Sequence, residues 1–315
     1  MKTLILGAGA IGGYVGGRMH QSGADVTFLV RQARHAALQR DGLVIKSTKG
    51  DITQKVKAVL GGAEGGPYDV VLLTCKAYDL DSAITAVLPA VGEKTTVVPL
   101  LNGMRHIDVL ANRFGEARVV GGLARIGVAL SATGEVLHTS PFAAISFGER
   151  DGKPGRQALV DLDGEVRKAG IDGGLHKNIV QDLWDKWIML CTLASMCCLM
   201  RGTSGDILEA DEGQAIVLET VEECRKVAAA AGCDPGEKGM QNVRSYLTQK
   251  GSRFAASMLH DLEKGAMVEA DHVVGDMIVR ARKAGIATPN LRLAYAHLQA
   301  YLARRARGGI GKPAL

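Results

Sequence analysis

The 315-residue sequence contains no Cys-x-x-Cys pair, no His-x-x-x-His or His-Glu pairing and no Gly-x-Ser-x-Gly element. The first two absences argue against a zinc site or a redox dithiol, so no metal is expected. The third removes the nucleophile elbow of a serine hydrolase. The six cysteines (Cys75, Cys191, Cys197, Cys198, Cys224 and Cys233) lie in apolar or helical stretches and read as free buried thiols of a reducing compartment. Long apolar runs are also missing. The longest, Trp187–Met200, is 14 residues interrupted by Thr192 and Ser195, short of the roughly 20 that a bilayer span requires. It predicts a buried helix and no membrane partner. The first residues pass from Met1-Lys2-Thr3 straight into Leu-Ile-Leu-Gly without the basic, apolar and small-residue regions of a signal peptide, and a cytoplasmic location is expected.

The composition is that of an ordinary globular chain, 47% apolar and 23% charged, which excludes disordered, collagen-like and coiled-coil classes. Its length exceeds what one hydrophobic core usually supports, so two domains are expected. The formal charge of +5 is modest. Arg304, Arg305 and Arg307 suit the negative end of a last helix, and without aromatic interleaving they suggest no nucleic-acid partner.

Two hydrophobic periods divide the chain. Apolar runs at 2–6, 26–30, 70–74 and 96–100 alternate with helical patterns, as in a parallel sheet with crossover helices. Shorter β-like pieces at 43–47, 118–128 and 135–138 suggest an extension of that sheet. Beyond Gly174 the period becomes 3.6, with helical segments near 178–200, 206–231, 236–249, 252–284 and 290–306 and stops at Gly232, Gly285 and Pro289. The change of period places a boundary at about residue 176, giving an α/β domain over 1–176 and an all-helical domain over 177–315.

Gly7-Ala8-Gly9-Ala10-Ile11-Gly12 matches Gly-x-Gly-x-x-Gly directly after a strand and directly before a helix, the context of a dinucleotide pyrophosphate site. Gly7 permits the tight turn, Gly9 lets the backbone approach the phosphates, and Gly12 allows close packing of helix on strand. The helix N-terminus adds unpaired N–H groups and a positive dipole end. An NAD site usually places Asp or Glu about 20 residues later, yet no carboxylate occurs from Val26 through Arg40, where Arg31 and Arg34 stand instead. Arg31 suits a 2′-phosphate, so the expected cofactor is NADPH/NADP. The alternative for Arg31 is a solvated loop residue, against which the missing carboxylate independently points to NADP.

Four later motifs carry a family resemblance: Thr74-Cys75-Lys76-Ala77; Leu101-Asn102-Gly103-Met104; Leu183-Trp184-Asp185-Lys186; and Ser257-Met258-Leu259-His260-Asp261 with Glu269 twelve residues beyond Ser257. With Ala284–Pro289 as a closing turn, their order and spacing resemble the ketopantoate reductase family over nearly the whole chain. The resemblance implies a Rossmann domain joined to a helical domain similar to that of 6-phosphogluconate dehydrogenase, with the active site in the cleft between them. It implies the NADPH-dependent reduction of a 2-keto acid, namely the 2-dehydropantoate 2-reductase step from ketopantoate to pantoate in pantothenate biosynthesis. By the same resemblance Lys186 is the general acid, Glu269 its carboxylate partner, Ser257 a ligand of the substrate carboxylate, and Lys76 and Asn102 line the cofactor-substrate crevice. The chemistry needs such groups, because hydride reaching a carbonyl carbon leaves negative charge on oxygen that a proton-donating cation relieves. Without the resemblance, Lys186 reads as a snorkelling lysine at a helix start, Glu269 as a residue on the solvated face of a charged helix, and Asn102 as a turn residue before Gly103.

The chain departs from the family where asparagines are expected one and two turns after the lysine, at Leu190 and Ala194, and three residues before the serine, at Phe254; a further one is replaced by Ser204. Each lost hydrogen bond to a buried hydroxyl or carboxylate forfeits about 1–3 kcal/mol. These three apolar positions, as substrate-lining residues, favour a different, more apolar 2-keto acid or ketone, although Ser204, Thr192 or Ser195 could restore hydrogen bonds. A non-catalytic NADPH-binding protein is the third reading, opposed by retention of Lys186 and Glu269. A homodimer is compatible with all of these.

Overall fold

The computed structural model describes residues 1–61 and 66–309. The chain forms two compact units, one comprising Met1–Leu101 and His106–Ile179, the other Asn102–Arg105 and the residues from Val180 onward.

The first unit begins β1 (Lys2–Leu6), α1 (Ala10–Gln21), β2 (Asp25–Leu29), α2 (Gln32–Asp41), β3 (Leu43–Ser47), β4 (Ile52–Gln54), β5 (Lys57–Val59) and β6 (Val70–Leu73). A 3-10 turn, Ala77–Asp79, leads into α3 (Leu80–Val87), followed by β7 (Thr96–Pro99), α4 (Arg105–Phe114), β8 (Gly121–Leu130), β9 (Val136–Gly148), α5 (Gln157–Lys168) and β10 (Asp172–Leu175). Strands β5-β2-β1-β6-β7 make a parallel five-stranded sheet in that order. This is the order of a mononucleotide-binding Rossmann half extended by two strands. β1 and β6 are apolar and almost wholly buried, as expected of parallel strands covered on both faces.

Of the pieces expected to extend this sheet, the start of 118–128 does so through a parallel bridge of Val119 to Val97; β3, β8 and β9 instead build a second sheet, ordered β10-β9-β3-β4, with β8 antiparallel to β9. β9 runs 13 residues, well past the 135–138 segment, because it pairs with three strands. Helix α1 lies between the sheets. A Cβ at Gly16 would stand 2.5 Å from Ile5 Cδ1 and 2.6 Å from Phe28 Cζ on the first sheet; one at Gly17 would stand 2.6 Å from Ile45 Cδ1 on the second. Two adjacent glycines therefore let one helix approach both sheets at once, and the core runs continuously through Ile5, Phe28, Ile45 and Ile145.

The second unit is helical: α6 (Ile179–Met200), α7 (Ser204–Glu209), α8 (Gly213–Ala230), α9 (Gly236–Leu247), α10 (Ser257–Glu263), a π-helical turn at Asp271–Gly275, α11 (Asp276–Lys283) and α12 (Pro289–Ala306). Helix α6 has 22 residues and meets the length and composition of a membrane span, but 67% of its apolar window is buried within the protein. It exceeds the apolar run because its first two turns carry Asp182, Asp185 and Lys186.

Two expected helices are broken. The 206–231 segment divides at Glu212, whose φ is +62°, after the short helix α7, which opens with a reciprocal Thr203–Asp206 capping box. The 252–284 segment divides more deeply. Residues 252–256 are non-helical and cap α7, with Ser204 N–H donating to Phe254 O (2.8 Å) and Gly205 N–H to Ser252 O (2.9 Å). The expected stops hold: Gly232 and Gly285 have φ of +76° and +69°, and Pro289 opens α12. Arg304 and Arg305 lie in the last turn of α12.

Candidate active site

In the first unit the glycine loop bridges β1 and α1. Gly7 has φ +94°, and its N–H donates to Leu29 O at 2.9 Å. A Cβ at Gly12 would collide with the Gly7 carbonyl and with Thr74 Oγ1, so Gly12 is required by the turn itself as much as by helix packing. Thr74 Oγ1 donates to Leu6 O at 2.7 Å, which ties the end of β6 to the end of β1. Gly9, the N-cap of α1, differs from both. A Cβ there would meet nothing within 4 Å, so open space lies beside Gly9 at the head of the helix, where the first-turn N–H groups are orphaned. Such a place suits the approach of a phosphate group.

Arg34 braces this loop. Its Nε donates to Ala8 O (2.9 Å) and its Nη1 to Gly134 O (2.8 Å) in the turn between β8 and β9. Burial lowers its pKa from the ordinary value. Arg31 is different: its side chain is 75% exposed, and Nη2 pairs with Asp79 Oδ1 at 2.8 Å, an interaction that raises the Arg31 pKa. Lys76 is half-buried at the head of the 3-10 turn after β6, at the carboxyl edge of the sheet where open α/β sheets bind ligands.

The helical unit gathers three of the expected residues. Lys186, in the second turn of α6, donates from Nζ to Asn102 Oδ1 at 2.8 Å. Asn102 precedes Gly103, whose φ of +78° makes the turn. A Cβ on Gly103 would stand 3.0 Å from the His272 carbonyl O and 3.1 Å from its ring. His272, buried in the π turn, hydrogen-bonds the Asn102 main chain and senses the charges of Glu269, Asp276 and Arg105; burial dominates and lowers its pKa. Glu269 is 8% exposed and lies not on a solvated helix face but just ahead of the π turn, its carbonyl accepting from Val273 N–H (2.9 Å).

The π turn leaves the Val273 carbonyl to accept from Trp187 Nε1 at 2.9 Å. Trp187 directly follows Lys186, so this bond fixes α6 against the segment carrying Glu269. Arg280 completes the support. It pairs with Asp276 at 3.0 Å and lies 5.9 and 5.6 Å from the ring centres of Trp184 and Trp187.

The remaining expected residues are placed differently. Ser257 is exposed as the first residue of α10, and Leu190 is half-buried. Ala194 is 1% exposed within the packing of α6. Phe254 packs edge-on against Tyr246, with ring centres 4.8 Å apart. Ser204, Thr192 and Ser195 are all buried. Sequence reasoning missed His272, Trp187 as a tether and Asp79. The spacing of His272, three residues after Glu269, was the only available signal for it.

Among protein-family models, ketopantoate reductase PanE/ApbA matches residues 3–152, and the C-terminal model of the same family matches residues 178–302. A Bacillus subtilis (strain 168) protein named as the uncharacterized oxidoreductase YkpB is 35% identical over 307 residues, covering 97% of this chain and 100% of that protein. The crystal structure of a PanE/ApbA family ketopantoate reductase from Ralstonia eutropha JMP134 superposes with a TM-score of 0.88 at 25% identity, covering 97% of this chain and 100% of that one. The ternary structure of D-mandelate dehydrogenase with NADH and anilino(oxo)acetate shares the fold, with a TM-score of 0.86 at 21% identity and coverage of 97% and 99%.

Proposed function

The chain belongs to the ketopantoate reductase PanE/ApbA family, whose members are oxidoreductases acting on CH–OH groups, and from that premise we propose that it reduces a 2-keto acid to a 2-hydroxy acid with NADPH. The observation that carries this reading is the 2.8 Å contact between Lys186 Nζ and Asn102 Oδ1, with the buried carboxylate of Glu269 gathered around the same His272.

The Gly7–Gly12 loop, with its open space at Gly9, would hold the pyrophosphate, and Arg31 the 2′-phosphate. The bound dinucleotide supplies the hydride. The residues of this chain do the rest. Negative charge developing on the carbonyl oxygen is met by the Lys186 ammonium, which donates a proton there and regains one from solvent. Asn102 Oδ1 holds that ammonium in one direction, so little reorientation is needed when the charge appears. Glu269 orients the substrate group beside the reacting carbonyl, and Ser257 and Lys76 contribute to binding its carboxylate and the dinucleotide. Six cysteines without a disulfide suit a reducing compartment, and we place the enzyme in the cytoplasm.

Within the class, the substrate is more apolar than ketopantoate. Leu190, Ala194 and Phe254 offer no polar side-chain atoms, and the hydroxyls that could replace the missing amides (Thr192, Ser195 and Ser204) are 0%, 0% and 4% exposed. Ketopantoate itself is the second reading, favoured by the family's retained lysine and glutamate. NADPH oxidation measured against a panel of 2-keto acids that includes ketopantoate tests both. No oxidation with any member, despite NADPH binding, would leave a non-catalytic binding protein.

A further inference from the structure

In a sheet of this strand order, the end of the second strand meets the ribose 2′ position of a bound dinucleotide. The stretch from Val26 through Arg40 carries no carboxylate there. The fold supplies one from another crossover. Asp79, at the end of the 3-10 turn after β6, places Oδ1 2.8 Å from Arg31 Nη2, and Ser82 Oγ stands 3.3 Å from the same nitrogen. Ser82 Oγ donates in turn to the Asp79 carbonyl at 2.8 Å, which fixes the turn at the head of α3. The carboxylate is 35% exposed and the arginine 75%, so both face solvent and can exchange partners.

A 2′-phosphate brings about two negative charges to a guanidinium that already has a carboxylate on it. It must share Arg31 or displace Asp79, and in either case it meets repulsion. A 2′-hydroxyl is a hydrogen-bond donor, and a carboxylate at that place accepts from it. The same side chain therefore works against one cofactor and for the other.

We propose that Asp79 is the residue that sets cofactor selectivity in this chain, neutralising Arg31 and accepting from a ribose 2′-hydroxyl, so that the preference for NADPH is modest and NADH remains usable. The inference rests on the dinucleotide reading of Gly7–Gly12 and refines it.

The test needs no substrate. Nicotinamide fluorescence titrations of the full chain with NADPH and with NADH give both dissociation constants for the unmodified protein, for Asp79→Asn and for Arg31→Ala. Asp79→Asn keeps the side-chain shape at a solvent-facing site; Asp79→Ser is a second variant, and circular dichroism reports folding of each. Removing the carboxylate is expected to tighten NADPH about three- to tenfold and to weaken NADH several-fold, so that the ratio of the two constants moves about tenfold or more. Arg31→Ala is expected to weaken NADPH alone. A ratio unchanged within about twofold in both folded Asp79 variants, with both cofactors still binding, would overturn the role of Asp79 and leave the dinucleotide reading intact. Failure of the unmodified protein to bind either cofactor would remove that reading, and this inference with it.

Discussion

At the residue scale, a group that touches the developing charge is separable from one that places it. Lys186→Ala removes the proposed proton donor while leaving the glycine loop untouched, so kcat should fall about 10²–10⁴-fold with the NADPH dissociation constant unchanged. A near-normal kcat would assign the proton to another residue. His272 makes a different prediction, about pH. Burial holds its folded pKa below the ordinary 6.5. Above that value the imidazole is neutral in both states and contributes no difference. As the pH falls through it, the unfolded chain takes up a proton that the folded chain resists, and stability declines until the folded value is reached. Glu269 and Asp276 oppose the shift, whereas Arg105 adds to it. His272→Gln should therefore flatten the fall in Tm as the pH drops below about 6.5. An equally steep fall in the variant would assign that acid sensitivity to other groups. The paired carboxylates Glu149 and Asp163 have lowered pKa values, and their contribution is lost only at more acid pH.

At the element scale, α1 is held between two sheets and the π turn is tied to α6. Gly16→Ala forces a Cβ to within 2.5 Å of Ile5 Cδ1; relief requires movement in a close-packed core and should cost about 1–3 kcal/mol, read as a lower urea midpoint. A midpoint within error of the unmodified protein would show that the sheets yield. Trp187→Phe removes the bond to the Val273 carbonyl, at about 1 kcal/mol, and should lower kcat more than it raises the KM of the keto acid. The parallel sheet was legible because β1, β6 and β7 are short apolar runs, each read directly from period and composition. The second sheet was not. β10 reads Asp-Gly-Gly-Leu, which has no strand signal, and it is held by pairing with β9. The split of 252–284 was hidden because residues 252–256 satisfy their backbone on α7, far away in sequence. The candidate site divides the same way: Lys186 and Glu269 are named through the family resemblance of the motifs around them, but the contacts Lys186 with Asn102 and Arg31 with Asp79 join residues 84 and 48 positions apart, and no local pattern reports them.

At the scale of the whole molecule, the Gly7–Gly12 loop lies in one compact unit, and Lys186, Asn102 and Glu269 lie in the other. Cofactor affinity and substrate choice should therefore respond to separate sets of mutations. Substrate choice is the sharper case. In the proposed reaction Lys186 and Glu269 would act on the reacting carbonyl and its neighbour, and they would be indifferent to the rest of the substrate. The positions proposed to distinguish one 2-keto acid from another, Leu190, Ala194 and Phe254, carry apolar side chains where the family resemblance implies amides. A site built to hydrogen-bond a hydroxyl rejects analogues lacking it by several powers of ten, whereas an apolar pocket discriminates by only about 1–3 kcal/mol per methylene. Ketopantoate should consequently lose its advantage, and kcat/KM should be higher for a 2-keto acid with a bulkier, less hydroxylated side chain. Restoring the amides should reverse the order: Leu190→Asn together with Phe254→Asn is expected to raise kcat/KM for ketopantoate relative to the apolar substrate by about tenfold or more, the size of one or two recovered hydrogen bonds. The ratio is taken between two substrates of one folded protein, so it is insensitive to the stability that the double variant loses. Ketopantoate emerging as the best substrate of the unmodified chain would mean that buried hydroxyls such as Ser204 reach the ligand after local movement. The apolar replacements would then be tolerated variation.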